Sequence, residues 1–201
     1  MANMEHFPSQ EPENTPSSFE ALLALLEFPQ SPELIGARQA ILKLLKDPSA
    51  DPTDLQTAWE HFADEVELLV ENPELDQHMH IKLQIGAIVH KALIFKEAGN
   101  QLRYAQELDD AESYAFNARL FEISNPLTAE LDAIAETLPQ DIPEIIVLKL
   151  RGMITDDDRL TLSESIDDGD DFDDVLGSAY ILLDENGRDP DLTLKNVGLI
   201  E

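Results

Sequence analysis

The chain has 201 residues, of which 43% are hydrophobic, enough for one domain with a core of its own. Its 42 Asp and Glu residues against 13 Lys and Arg give a formal charge of -29, which disfavours direct binding to nucleic acid or to an anionic membrane and favours a basic protein as partner. The absence of cysteine excludes disulfides, thiolate nucleophiles and cysteine-ligated metals, and a reducing cytoplasm is the expected location.

The N-terminal segment, residues 1–16, is rich in Pro, Ser, Glu and Asn and has little to bury, which predicts a disordered leader. It lacks the basic and apolar regions of a signal peptide. No apolar run in the chain reaches the ~20 residues that a membrane helix needs. We therefore expect no contact with a membrane.

Three helix starts can be read in the first part of the chain. A serine cap at Ser18 opens a short helix, and Ser31 and Asp51, each followed by proline, open two more. The oxygen of such a cap accepts hydrogen bonds from free amides, and proline in the first turn lacks an amide that would stay unpaired. In the third helix Trp59 lies in the middle of an apolar stripe, which predicts that it is largely buried.

The next helices are read from their apolar patterns. A long helix over about 73–99 is apolar on most sides, as is typical of a central helix in a bundle. A fifth helix over 101–123 should end before Pro126, and a shorter helix is predicted over 128–137. The apolar run 144–150 suits either a buried helix or a strand, because periodicity does not separate the two.

These elements predict an all-α fold, a helical bundle or short helical-repeat array, over residues 17–153. The acidic C-terminal region, residues 155–201, differs in composition, with dense Asp clusters at 156–158 and 167–174 between small apolar islands. We expect it to form a less regular appendage. Like charges side by side should contribute nothing to a folded core, which favours a partner as the reason for these clusters. The residues expected to bind it are Asp170, Asp171, Phe172, Asp173, Asp174 and Tyr180.

One stretch, residues 88–118, resembles a single tetratricopeptide repeat. Ala92 and Phe95 occupy the small and aromatic positions of the first helix of such a repeat, and Gly99 stands at its inter-helix turn. Leu108 and Ala111 match the packing positions of the second helix. The resemblance implies an antiparallel helical hairpin and a peptide-binding groove, and it competes with the interpretation as an ordinary helical hairpin.

Catalytic and metal-binding patterns are absent from the sequence. There is no nucleophile elbow, phosphate-binding glycine loop or zinc-protease motif. His61 and Glu65 share a helix face at a spacing that can bind a metal, but no third ligand is evident, and the Asp clusters do not fit a calcium loop. We expect no enzyme activity, no cofactor and no metal.

The sequence therefore favours a non-catalytic interaction module that engages a basic protein partner: an adaptor, a chaperone-like protein or an inhibitory regulator. The alternative is a DNA mimic, in which ordered carboxylates imitate phosphates and inhibit a nucleic-acid-binding protein. An enzyme of an unrecognised family is a third possibility.

Overall fold

The computed structural model describes residues 18–26, 28–72 and 75–200, and over these residues it contains α-helices and no strand. The helices are α1 (Phe19–Leu26), α2 (Pro32–Leu45), α3 (Pro52–Val70), α4 (Gln77–Ala98), α5 (Gln101–Asn117), α6 (Phe121–Ala135), α7 (Glu144–Leu150), α8 (Asp156–Asp167), α9 (Phe172–Glu185) and α10 (Pro190–Asn196). The predicted all-α class is confirmed, and the run 144–150 is a helix. The predicted leader, residues 1–16, lies outside the described residues.

The ends of the first helices follow local capping chemistry. Ser31 accepts a hydrogen bond from the Leu34 amide at 3.0 Å, and Asp51 accepts one from the Thr53 amide at 2.8 Å. Gly99 ends α4 in the left-handed conformation, with φ 82°. These predicted helix ends are confirmed.

The chain turns earlier after α5 than predicted. Arg119 takes a left-handed φ of 59°, and the Leu120 amide donates to the Ala115 carbonyl at 2.9 Å, as in the Schellman motif that often ends helices. Glycine usually occupies this position, so an arginine there gives no signal in the sequence.

The prediction that Pro126 ends a helix is wrong, because it lies inside α6. The packing of this buried face offsets the one amide hydrogen bond that proline cannot donate.

Two apolar cores share α4. The main core joins α1 and one side of α4 to the helices from α5 to α10, and the second core joins α2 and α3 to the other side of α4. This arrangement explains why α4 is apolar on most sides. Its contributions to the main core are Ile85, Val89 and Ala92, and those to the second core are Leu83 and Ile94.

The acidic C-terminal region is helical and joins the main core, which makes it more regular than expected. Its buried residues are Leu162, Val175, Ala179, Leu183 and Leu194. The acidic clusters cap its helices. The Thr155 hydroxyl donates to the Asp158 carboxylate at 2.7 Å, and Asp171 accepts from the amides of Asp173 at 3.0 Å and Asp174 at 3.1 Å. Because carboxylates at helix N-termini satisfy free amides and face the positive end of the dipole, the premise that these clusters contribute nothing to folding is wrong.

Two glycines in helices should respond oppositely to alanine. A Cβ at Gly86 would lie 2.8 Å from Cδ2 of the buried Phe28, whereas nothing lies within 4 Å of a Cβ at Gly36. We expect Gly36→Ala to raise the free energy of unfolding by about 0.5–1 kcal/mol through helix propensity. Gly86→Ala should lower it by about 1–2 kcal/mol through overpacking. Urea unfolding measures both, and equal stabilisation of the two variants would contradict the close packing of Phe28 on α4.

Candidate protein-docking groove

An apolar groove of about 790 Å³ runs between α3 on one side and α4 and α5 on the other. Its α3 wall is the stripe predicted from the sequence, which includes Trp59, Phe62 and Val66. Ile88 and Phe95 of α4 are part of the opposite wall. The groove exists because α3 packs along α2 and meets α4 over only a small part of its length. The remaining apolar side chains of α3 therefore face an open channel.

Most of the Trp59 side chain is buried against the second core, in line with the prediction, and the remainder stays exposed. Its ring stacks on Phe95 with centroids 5.4 Å apart and meets Phe62 edge-on at 5.9 Å. These contacts hold the indole in one orientation while part of it borders the groove. An aromatic side chain held in this way is typical of the anchor points of protein interfaces.

The wall opposite α3 carries polar groups along its edge. Lys91 of α4 forms an ion pair of 2.7 Å with Glu107 of α5, and its Nζ lies 5.9 Å from the centroid of the Trp59 ring. The Tyr114 hydroxyl donates to Gln84, which links the same two helices. These contacts fix the spacing of α4 and α5, so the wall of the groove that these two helices form is rigid.

A stripe of carboxylates, the α3 acidic stripe, runs beside the apolar stripe. It consists of Glu60, Asp64, Glu67 and Glu71, all exposed, and each directly follows a groove-lining residue in the sequence. Consecutive helical residues are rotated by ~100°, so the stripe follows the edge of the groove, and Glu67 itself borders it. None of the four belongs to an ion pair found within the described ranges.

The residues predicted to bind a partner lie on α9, at its N-cap or directly before that cap: Asp170, Asp171, Phe172, Asp173, Asp174 and Tyr180. Asp171 is the cap, and Phe172 packs partly against the main core. Tyr180 is 42% exposed, and nearby carboxylates, Asp191 foremost, raise its pKa. None of these residues lines the groove. That they bind a partner stays a prediction.

A second cavity of about 900 Å³ lies where α5, α6, the α7–α8 connection and α10 meet. Arg159 of α8 forms an ion pair with Asp109 of α5 and donates from Nη1 to the Ser113 hydroxyl at 2.9 Å. Arg151 forms an ion pair with Asp132 of α6. Burial raises the pKa of Asp109 to about 6, although the guanidinium of Arg159 acts in the opposite direction. Both arginines thereby link neighbouring helices beside this cavity.

His61 and Glu65 form the pair with metal-binding spacing. Nε2 of His61 lies 3.9 Å from Oε1 of Glu65, and His61 is exposed. Over the described ranges, no three or more His, Asp or Glu side chains are arranged to hold a metal ion. No helix in the same part of the chain is long and apolar enough to span a bilayer.

The chain matches no protein-family model, and comparisons with curated proteins and with solved structures gave no significant match. The resemblance to a tetratricopeptide repeat therefore stays a prediction. Its packing residues, Ala92 of α4 and Leu108 and Ala111 of α5, are buried in the main core. The chemistry of the groove is therefore the guide to function.

Proposed function

We propose that this protein is a non-catalytic interaction module of the cytoplasm that holds an apolar helical segment of a basic partner protein in the groove between α3 and α4–α5. The observation that carries the proposal is the open apolar channel with Trp59, buried over most of its surface, on its wall. Helix-in-groove binding needs a row of apolar contacts and an aromatic anchor. The groove offers both.

The size of the groove supports a helix as the occupant. Its volume of about 790 Å³ lies within the range of protein binding clefts, and its length is the feature that indicates a helix. The groove-facing residues of α3, from Trp59 to Val70, extend over about three helical turns. Apolar side chains of a helix repeat at three or four positions, which matches the spacing of this wall. The formal charge of -29 favours a partner of opposite charge, mainly through faster association.

The test uses the only tryptophan of the chain as a reporter. The probe is a labelled amphipathic helical peptide with leucines at i, i+3, i+4 and i+7 and glutamine and alanine elsewhere. Binding should shift Trp59 emission to the blue and raise the anisotropy of the label. Trp59→Ala should weaken binding at least about tenfold, as expected for an aromatic anchor, and should lower the free energy of unfolding by less than the ~3–5 kcal/mol of a buried tryptophan.

Matched charge insertions provide the control. Val66→Asp places a carboxylate in the groove, whereas Leu192→Asp places one at a 57% exposed position of α10 outside it. We expect binding to be lost in the first variant and kept in the second, with helical circular dichroism unchanged in both. Equal affinities in these two variants would rule out the groove as the binding site.

A further inference from the structure

Over the described residues, the α3 acidic stripe forms no ion pair, and none of its carboxylates caps a helix N-terminus. Like charges three or four positions apart on a helix destabilise it, and α3 contains no Lys or Arg to compensate. Glu60 accepts a hydrogen bond from Gln56 at 2.9 Å, a contact that any polar side chain could supply. By contrast, acids of the C-terminal region such as Asp158 and Asp171 cap helices.

The position of the stripe indicates what it meets. Each carboxylate follows a groove residue: Glu60 follows Trp59, Asp64 follows Ala63, Glu67 follows Val66 and Glu71 follows Val70. A helix in the groove would therefore bring the edge of its apolar face alongside the stripe over the whole length of contact. The edge of the opposite wall has no comparable row of unpaired carboxylates among its lining residues. It carries Lys91, which is paired with Glu107, and it also carries Arg103.

We infer that the partner is an amphipathic helix whose Lys or Arg side chains repeat at three or four positions along one edge of its apolar face and lie over the α3 acidic stripe. This inference rests on the proposed function and adds the rule that selects the partner. Apolar anchors supply affinity, and the row of basic residues supplies orientation and discrimination. The docked helix is thereby directed along α3, with its basic edge facing away from Arg103.

Three probe peptides test this rule at equal length and helicity. The edge peptide has lysines directly beside the leucine stripe, the outer peptide has the same composition with lysines on the opposite face, and the neutral peptide has glutamines. A single exposed ion pair contributes little to affinity, but several pairs along the stripe add up. The edge peptide should therefore bind about tenfold more tightly than the outer peptide at low salt. The difference should shrink at ~0.5 M salt, where screening is strong.

Matched variants separate the stripe from the overall charge. The stripe variant carries Glu60→Gln, Asp64→Asn, Glu67→Gln and Glu71→Gln. Its control removes the same number of charges from exposed positions of α8 and α9, through Glu164→Gln, Asp167→Asn, Asp184→Asn and Glu185→Gln. The stripe variant should weaken edge-peptide binding about tenfold, and the control should weaken it less than about threefold, since distant charges are screened. Neutral-peptide binding should stay the same in both.

The outcomes distinguish this inference from the proposed function. If no peptide binds, the proposed function fails. If the neutral peptide binds but the edge and outer peptides have equal affinity, or the stripe and control variants weaken binding equally, the basic-edge rule is overturned and the groove remains. A third variant, with asparagine at Asp170, Asp171, Asp173 and Asp174, keeps the helix cap because asparagine caps as well as aspartate. A loss of edge-peptide binding in that variant alone would place recognition at α9.

Discussion

Replacing Arg159 by leucine is expected to lower the free energy of unfolding by about 3–5 kcal/mol, because the change leaves a buried carboxylate without its partner. The side chains of Arg159 and Asp109 are only 16% and 8% exposed. Over the described residues, Oδ1 of Asp109 has no hydrogen-bond partner. The other oxygen of this carboxylate therefore depends on the guanidinium, and urea unfolding at neutral pH measures the loss.

The double variant Asp109→Leu/Arg159→Leu is the control, because it removes both charges together. Replacing a buried pair by apolar residues is often neutral or stabilising, so the double variant should be more stable than Arg159→Leu alone.

Acid should also partly restore the stability of the single variant Arg159→Leu relative to the wild type. Burial raises the pKa of Asp109 to about 6 even beside Arg159. Without the guanidinium the pKa of Asp109 rises further, so the stability deficit of Arg159→Leu relative to the wild type should shrink as the pH falls from neutral. A double variant no more stable than Arg159→Leu, or a deficit of Arg159→Leu that is as large at pH 5 as at pH 7, would contradict the buried pair.

Acidification from pH 7 to pH 4 is expected to remove about 2 kcal/mol of stability through His90. Burial lowers the pKa of His90 to about 4 from 6.5, helped by the nearby charge of Arg38. Below pH 6.5 the unfolded chain binds a proton that the folded chain does not, so this contribution is lost as the pH falls towards 4. The full shift of the His90 pKa would correspond to about 3 kcal/mol in the free energy of unfolding. Solvent screening at this partly exposed ring reduces the expected loss to about 2 kcal/mol.

His90→Phe isolates this effect, since an aromatic ring at this position keeps the packing on Phe28, whose centroid lies 4.6 Å from that of His90. As the pH falls from 7 to 4, the free energy of unfolding of His90→Phe should decrease less than that of the wild type. Other acids contribute equally to both proteins, so the difference between their unfolding curves is the informative quantity. Parallel pH profiles would show that the His90 ring is accessible to solvent.

Local sequence by itself determined the helical class and several helix ends. The caps at Ser31 and Asp51 and the left-handed Gly99 act within a few residues of themselves, so their chemistry does not depend on the rest of the fold. The apolar circumference of α4 likewise indicated a central helix, because a helix that is apolar on most sides needs neighbours on most sides.

Tertiary structure decided the turn at Arg119, the course of the chain through Pro126 and the open channel beside Trp59. In the first two cases packing overrides a local preference, because burying a helix face outweighs a missing amide bond or an unfavourable φ. In the third, the apolar stripe of α3 predicted an inward face, but only the offset of α3 from α4 determines whether that face meets a helix or an open channel.

The same distinction separates the two sets of acidic residues. In the sequence, the clusters of the C-terminal region are denser than the α3 acidic stripe and suggested the binding site. The structure shows that Asp158 and Asp171 cap helices, whereas Glu60, Asp64 and Glu67 follow the edge of an apolar groove. Charge and helical spacing are properties of the sequence. Whether a row of charges lies beside an open apolar surface depends on how distant helices pack, and that is a property of the tertiary structure alone.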